Sequence, residues 1–302
     1  MAVITRSAHP KALWPGIKAW WGRMYDEHSP EYPDLFDEES SDKAYEEDVE
    51  VTGFGLAPEK PEGQTVTYDM EQQGNVARYT HVGYGLGYIV THEEIEDNLY
   101  EVVSKRRAEA LAFSMRQTKE TILANIYNRA FNPLFPGSDG VSIVNAAHPT
   151  VNGTQSNVAA NPADLSETAL EDMHTQVGLA TNSRGLKISL QIMSLHIPVN
   201  EWWNANRILK SVLQNDTANN AINVLKAVGA IPRGPKQNHY FTSDSAWFVR
   251  TNAPRGMIYY NREAVSFKQD NDFDTENAKA KCYERYSGGN TDFRGIYANP
   301  GV

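Results

Sequence analysis

The chain has 302 residues, with 38 acidic and 28 basic side chains and one cysteine, Cys282. This length allows one or two domains with a sizeable core. A single cysteine excludes an intramolecular disulfide, so the composition is not that of a disulfide-stapled secreted scaffold and favours a reducing compartment. The sequence lacks a run of about 20 apolar residues, which a membrane helix needs, and the apolar core of a signal peptide. We therefore expect a soluble protein made in the cytoplasm.

The net charge of −10 is concentrated near the N-terminus. Residues 26–50 hold twelve acids and one base, whereas residues 1–25 hold four bases and no acid. Three tryptophans are interleaved with these bases: Trp14, Trp20 and Trp21. Blocks of like charge are often disordered tails, but disordered segments are usually poor in aromatic residues. We expect an ordered arm that packs on other copies of the chain; a disordered, solvated tail is the alternative.

Residues 51–90 have the pattern of strands and turns. Apolar and polar residues alternate over 66–70, and residues 76–84 form a second extended run. We expect these two runs to pair as a hairpin, with a further turn at 56–63. Because an isolated two-stranded hairpin is marginally stable in water, another surface must cover it.

The strongest local signal is helical. The segment from His92 to Phe131 has no glycine or proline, and residues 91–94 have the form of a capping box. Its apolar residues recur at helical spacing: Ile95, Leu99, Val102, Val103, Leu111, Met115, Ile122 and Ile126. Polar and charged residues interrupt this stripe at two places, so no heptad repeat persists and a coiled coil is disfavoured. We predict one long helix that lies across a sheet and stops before Pro133.

The remainder of the chain alternates helical and extended patterns after a loop at 133–162. The predicted helices are 166–178, 198–213 and 219–228, and the predicted strands are 186–192, 240–250 and 257–260. This alternation predicts a mixed α/β subdomain of about 100 residues. Residues 278–286 and 293–297 also have the pattern of strands, and we expect them to return to the sheet under the long helix.

Motifs for catalysis, nucleotide binding or metal binding are missing. The glycines at 83, 85 and 87 have G-x-G-x-G spacing and are followed by a strand where a dinucleotide motif needs a helix, so they indicate strand bends. The eight histidines are dispersed and match no metal-ligand spacing. We therefore predict no enzymatic activity, no cofactor and no metal, although scattered residues can still form a site in three dimensions.

The parts follow in the order aromatic arm, hairpin region, very long helix, α/β subdomain and short C-terminal return. This order resembles that of the major capsid protein of tailed bacteriophages, which has the Hong Kong 97-type fold. The stretches similar to elements of that family are 79–94 before the long helix, 195–211 and 244–250 in the subdomain, 292–297 at the C-terminus, and 12–16 with 37–45 near the N-terminus. Together and in this order they are fairly specific.

The resemblance implies an α+β fold with an N-terminal arm, an extended β-hairpin loop (E-loop), a long spine helix, a mixed α/β axial domain and a β-rich peripheral domain. The boundaries that it implies are 1–50 for the arm with its acidic tract, 51–90 for the E-loop and leading strands, 91–150 for the peripheral domain with the spine helix, 151–255 for the axial domain, and 256–302 for the return to the peripheral domain.

The resemblance also implies a function. The chain would self-assemble, through hexamers and pentamers, into the icosahedral head of a tailed phage in the host cytoplasm and reside in the virion. The head would enclose double-stranded DNA without sequence specificity, because the sequence has no basic helix or zinc finger. Self-scaffolding relatives carry a long N-terminal domain that is missing here, which implies a separate scaffolding protein or assembly without one. A portal protein and a decoration protein are further implied partners, whereas a membrane is not.

Contacts between copies are expected in the arm, the acidic tract and the hairpin. Tryptophans of the arm would anchor on a neighbour, and its bases would pair with the acidic tract of another copy, which makes assembly sensitive to salt. The candidate contact residues are Arg6, Lys11, Trp14, Lys18, Trp20, Trp21, Arg23, Asp37, Glu38, Glu39, Glu46, Glu47, Asp48, Pro58, Lys60, Glu62, Tyr68 and Met70. Some relatives join subunits by a Lys–Asn isopeptide bond; Lys60 is the candidate for one, and an ordinary solvated lysine is the favoured alternative.

Two other functions remain open from the sequence. An encapsulin-type nanocompartment shares the fold but encloses enzymes, so the contents of the particle distinguish it from a phage head. A mixed α/β enzyme would have to place its site within residues 150–255, and it would run as a small oligomer in size-exclusion chromatography.

Overall fold

The computed structural model describes Trp21, Tyr25 and residues 29–93, 100–214, 221–272 and 277–302. The helices are α1 (Tyr32–Leu35), α2 (Tyr100–Asn128), α3 (Glu167–Gly178), α4 (Trp202–Lys210) and α5 (Val224–Val228). The strands are β1 (Asp37–Ser40), β2 (Tyr45–Val51), β3 (Gln73–Thr80), β4 (Val82–Val90), β5 (His148–Thr150), β6 (Gly153–Gln155), β7 (Ile192–Pro198), β8 (Pro235–Asn238), β9 (Trp247–Thr251), β10 (Met257–Asn271), β11 (Ala278–Asn290) and β12 (Ile296–Asn299).

A four-stranded sheet of order β1-β10-β11-β4, here called the first sheet, supports the long helix α2. Strands β10 and β11 form a long antiparallel pair, β1 runs parallel to β10 at one edge, and β4 runs antiparallel to β11 at the other. Helix α2 packs on β4 and β11 in a cluster that buries Leu111 and Met115 against Ala280 and Cys282. Each fully buried side chain of this size contributes about 1.5–3 kcal/mol.

The predicted long helix is confirmed over Tyr100–Asn128. It ends before the predicted Phe131, because the N–H of Ala130 turns back to the carbonyl of Tyr127 in a tighter turn. Residues 94–99, which include two members of the predicted apolar stripe, lie outside the described residues.

A second four-stranded sheet, of order β12-β9-β7-β8, forms the core of the α/β subdomain. Trp247 and Leu195 are fully buried at its centre, and α3 packs on it through Met173. Helix α3 begins as predicted, because the Ser166 hydroxyl accepts a hydrogen bond of 3.2 Å from the N–H of Ala169. Helices α4 and α5 are confirmed in place but are shorter than predicted.

Three strand positions in this part of the chain were wrong. The strand predicted at 186–192 lies instead at Ile192–Pro198, and the one predicted at 240–250 is confined to Trp247–Thr251. Both strands are almost entirely buried, and a strand buried on both faces shows a continuous apolar run in place of alternation. In addition, β10 extends far beyond the predicted 257–260, to Asn271.

The predicted pairing of 66–70 with 76–84 is also wrong. Strand β2, which lies within the acidic tract, pairs with β3 in the register Tyr45↔Thr80 to Val51↔Gln73. Residues 52–72 form the connecting loop, here called the extended loop. Acidic residues are unfavourable in strands, so four acids in β2 concealed its extended structure. The implied boundary at residue 50 therefore separates β2 from the loop that it supports.

The C-terminal strands join different sheets. Strand β11 lies under α2 as predicted, but β12 pairs with β9 of the second sheet, so the prediction that 293–297 return to the first sheet is wrong. A strand as short as β12 carries no pattern that selects one sheet over another, and its pairing is decided by long-range packing. The second sheet is consequently built from both sides of the implied boundary at 255/256.

The glycines at 83, 85 and 87 do not bend β4, which pairs with β11 continuously from Val82 to Val90. A Cβ atom at Gly87 would lie 2.6 Å from the carbonyl oxygen of Ala280, and one at Gly83 would meet the Tyr283 ring. The glycines therefore allow close approach of the neighbouring strand.

Candidate assembly surfaces

The extended loop presents apolar side chains to solvent. Tyr68 is 91% exposed and Leu56 is 83% exposed. The other exposed members of the loop are Phe54, Val66 and Met70. The candidate contact residues Pro58, Lys60 and Glu62 are exposed on the same loop. Sequence reasoning therefore placed these candidates on an exposed segment, although it assigned a strand where the chain forms a loop; their contact with other copies stays a prediction.

The base of the extended loop is attached to the α/β subdomain. The Asp69 carboxylate accepts hydrogen bonds from Arg184 Nη1 at 2.9 and 3.1 Å and from the N–H of Gly55 at 2.8 Å. Backbone N–H groups of Gly55 and Met70, together with the Arg184 guanidinium, hold the pKa of Asp69 below its ordinary value. Arg184 is presented by a turn whose next residue, Gly185, has a φ of 83°, which favours glycine. Nothing in the local sequence of Arg184 predicted this role.

The aromatic arm is described only at Trp21 and Tyr25. The Trp21 indole stacks on Tyr25 at 5.3 Å and on Phe267 of β10 at 5.5 Å between ring centroids, and it is buried. Its apolar surface is thus covered by its own chain, contrary to the expectation that a neighbouring copy must cover it. The other candidates of the arm lie outside the described residues: Arg6, Lys11, Trp14, Lys18, Trp20 and Arg23.

The acidic tract is compensated within its own chain. The nitrogen–oxygen pairs are Asp37–Arg250 at 2.8 Å, Glu39–Arg255 at 3.7 Å, Glu46–Lys43 at 3.0 Å, Glu47–Arg78 at 3.8 Å, and Asp48 with Arg255. Glu38 is exposed. These five acids each have a basic partner in their own chain, and their contact with another copy stays a prediction. Salt-sensitive assembly stays a prediction, but screening would first weaken pairs inside one chain.

A buried charged group lies under α2. Lys119 Nζ is 2.7 Å from a Glu284 carboxylate oxygen, and the rings of Tyr259 and Tyr286 surround the ammonium group. Burial raises the pKa of Glu284 above its ordinary value, and the nearby Lys119 opposes this effect. Removal of one partner from such a pair costs about 3–5 kcal/mol. We interpret this group as a structural element of the subunit, since both side chains are inaccessible.

A second apolar surface, which sequence reasoning missed, lies on the α/β subdomain. Its exposed side chains are Trp203, Val212, Ile222, Val224 and Val228. Trp203 is 76% exposed on α4, whose sequence shows apolar residues on both sides of the helix. These exposed apolar side chains make this part of the subdomain a candidate interaction surface.

Polar side chains with catalytic potential are buried in the structure. His196 Nε2 lies 2.8 Å from the Ser194 hydroxyl, and burial lowers the pKa of this histidine to about 3. His148 contacts Asp139 and is fully buried, and burial raises the pKa of the Cys282 thiol to about 12. Within the described ranges, no three His, Cys, Asp or Glu side chains are grouped to hold a metal ion. None of the helices there is long and apolar enough to cross a membrane.

A cleft of about 460 Å³ lies between β3, the C-terminal half of α2 and the end of β11. Its walls include Val76, Val82 and Ile126, and Arg129 stacks on Phe135 at one end. Polar side chains also line the cleft, and the hydroxyl of one of them, Ser287, lies 2.9 Å from Nδ1 of the buried His81.

Comparison with known proteins identifies a family that matches most of the chain. Residues 76–299 match the sequence profile of a family described as phage capsid protein. No curated protein sequence is significantly similar to the chain.

Several solved structures share the fold. The structure from Mycobacterium phage Adephagia has a TM-score of 0.54 at 10% identity, covering 90% of each chain. The capsid of the cyanophage P-SCSP1u has a TM-score of 0.54 at 10% identity, covering 91% of this chain and 88% of its own. A virus-like particle from Pyrococcus furiosus has a TM-score of 0.50 at 10% identity, covering 94% and 97%.

Proposed function

Because the chain belongs to the phage capsid protein family, we propose that it is the major capsid protein of a tailed phage and assembles through hexamers and pentamers into an icosahedral head. The α+β Hong Kong 97-type fold that the sequence predicted is confirmed. The observation that carries the proposal is the extended loop, whose apolar side chains are exposed in the isolated chain.

In a monomer the extended loop would leave apolar surface in contact with water, whereas in a shell another copy would cover that surface. Full burial of a large apolar side chain contributes about 1.5–3 kcal/mol, so seating Leu56, Val66, Tyr68 and Met70 on a second copy would contribute substantially. Contacts between unlike surfaces form rings or closed shells when the rotation between copies closes. Closure also makes many modest contacts simultaneous, which raises the overall avidity.

We propose double-stranded DNA as the content of the head, held without sequence specificity. The chain as a whole is acidic, with a net charge of −10, so affinity for phosphates is not its distinguishing property. A separate scaffolding protein, a portal protein and a decoration protein are the proposed partners, and the virion is the proposed location after assembly in the host cytoplasm.

The proposal is tested by expressing the full chain and examining it by size-exclusion chromatography and negative-stain microscopy. Closed particles are expected for the unchanged chain. Leu56→Asp in the extended loop should reduce particle yield at least about tenfold, since it places a charge in a contact that must be apolar. Leu134→Asp is the matched control, because Leu134 is 81% exposed and lies outside the loop.

Two results would overturn the proposal. One is a subunit that stays monomeric at high concentration with a circular dichroism spectrum of a folded protein. The other is an unchanged particle yield for Leu56→Asp. Circular dichroism and thermal melting of both variants verify that the subunit itself still folds.

A protein compartment is the second candidate, favoured by the similarity to a virus-like particle. Particles purified from cells after nuclease treatment distinguish the two functions. Protected double-stranded DNA in particles from phage-producing cells supports the head, whereas a stoichiometric enclosed protein supports the compartment.

A further inference from the structure

An asparagine–glycine pair lies in the exposed turn between β5 and β6. Val151 and Asn152 form this turn, and Gly153 begins β6 opposite Thr150. Gly153 has a φ of 105°, a backbone conformation that favours glycine. The turn therefore requires, directly after Asn152, the residue whose backbone nitrogen is not shielded by a side chain of its own.

The side-chain amide of Asn152 is exposed and is not held in place. Within the described ranges it takes part in no hydrogen bond, whereas its backbone N–H donates one of 3.1 Å to the carbonyl of Ser183. Asn182 in the neighbouring turn differs on both counts. It is followed by serine, and its Oδ1 accepts bonds of 3.0 Å from the N–H of Arg184 and 2.8 Å from that of Leu186.

An unrestrained asparagine–glycine pair can convert its amide to an acid without a catalyst. The Gly153 backbone nitrogen attacks Cγ of Asn152, the bond between Cγ and Nδ2 breaks, and the proton of the attacking nitrogen leaves with the amide group as ammonia. Water then opens the cyclic imide at either carbonyl, which gives aspartate or isoaspartate. Asparagine is a thermolabile residue for this reason. The turn gains a negative charge, and isoaspartate also lengthens the backbone by a methylene group.

The product would lie beside the attachment of the extended loop. A Cβ atom on Gly185 would collide with the Asn152 amide, so this amide rests against the turn that presents Arg184. Asn152 and Arg184 line a depression of about 390 Å³ together with Asp69 and Met70 of the loop. Arg184 Nη1 binds Asp69, and Arg184 Nε has no hydrogen-bond partner within the described residues. A carboxylate at position 152 would therefore compete with Asp69 for this guanidinium.

We infer that Asn152 is a site of spontaneous deamidation and that its product loosens the base of the extended loop. Two effects act in this direction. The new charge draws on the guanidinium that holds Asp69 and repels the Asp69 carboxylate itself. In isoaspartate, the longer backbone also disturbs the hydrogen bond from position 152 to Ser183, which supports the turn of Arg184. Neither effect depends on the proposed function.

The site is tested by ageing the full chain at mildly alkaline pH and locating the modified position by tandem mass spectrometry. Most of the mass gained by exchange of amide for acid should lie at Asn152, and Asn182 should remain unchanged. Asn152→Gln should abolish that gain. The same chain in urea provides the reference rate for the unfolded sequence. A folded chain that keeps its Asn152 amide while the unfolded chain loses it would overturn the inference.

The effect on the loop is tested by amide hydrogen exchange of the unassembled subunit at Gly55 and Met70, whose N–H groups bind Asp69. Exchange in the aged chain and in Asn152→Asp should accelerate at least about twofold, because it reports the local opening that the attachment prevents. Asn271→Asp is the matched control and should leave these rates unchanged, since Asn271 is exposed on β10 of the first sheet. Unchanged rates in the aged chain would overturn the inference even where the site is modified.

In a shell, aged subunits should give a lower particle yield than fresh ones, while Asn152→Gln should keep its yield after ageing. This last step rests on the proposed function. Absence of particles for every chain would contradict that function, and the mass and exchange measurements would stand.

Discussion

The extended loop and the acidic tract are adjacent in the chain, but the loop exposes apolar side chains and the tract exposes charged ones. The loop exposes five large apolar side chains and is tied to the body at Asp69. The tract has the highest charge density of the chain, yet most of its described acids have a base in their own subunit. Both regions had been expected to contact other copies, and only the loop keeps an unsatisfied surface.

This difference shows that charged and apolar surfaces are unequal evidence for contacts with other copies. Exposed charge is satisfied by water or by a nearby base at little cost, and an exposed ion pair contributes about 0–1 kcal/mol. An exposed apolar surface is satisfied only by burial. A charged segment is therefore weak evidence for an intermolecular contact, and an apolar loop is stronger evidence.

The largest expected contrast is in the free energy of unfolding. Arg250→Met removes the hydrogen bonds from a buried guanidinium to the Asp34 carbonyl and the Asp37 carboxylate and should lower this free energy by about 1–3 kcal/mol. Val66→Ser in the extended loop should change it by less than about 0.5 kcal/mol, because an exposed residue has no packing to lose. Urea denaturation of the unassembled subunit measures both. Equal effects of the two substitutions would erase the distinction between the regions.

A smaller effect is expected from acid on the attachment of the loop. The pKa of Asp69 is lowered in the folded chain, so its bonds stabilise the loop above the ordinary carboxyl pKa, and this contribution is lost as the pH falls through the lowered value. Amide hydrogen exchange at Gly55 and Met70, corrected for intrinsic rates, should accelerate over that range. Asp69→Asn provides the control: it should exchange quickly at every pH, and a wild-type rate for this variant would contradict the role of the carboxylate.

For Lys60 we expect no covalent cross-link between subunits. Lys60 is exposed in the extended loop, and we expect it to remain an ordinary solvated lysine. Denaturing electrophoresis of intact particles should then show a single monomer band. A ladder of covalent multimers that disappears with Lys60→Arg would instead establish a cross-link and assign the loop a second role.

Local patterns in the sequence predicted a large part of this architecture. The helical stripe around Leu111 and Met115 and the Ser166 cap depend on neighbours within a few residues, and these predictions are confirmed. The alternating residues Val66, Tyr68 and Met70 were also singled out by sequence and are exposed on the extended loop, but as part of a predicted strand.

Pairing across long separations was decided only by the tertiary structure. Asp37 and Arg250 are 213 positions apart, and β12 joins the second sheet although β11 lies in the first. The sequence near an acid does not indicate which base it will pair with, because many bases could serve. The sequence of a four-residue strand likewise does not indicate which sheet edge it will join. The long helix follows from the chain's own spacing, whereas the compensation of the acidic tract depends on where folding brings distant bases.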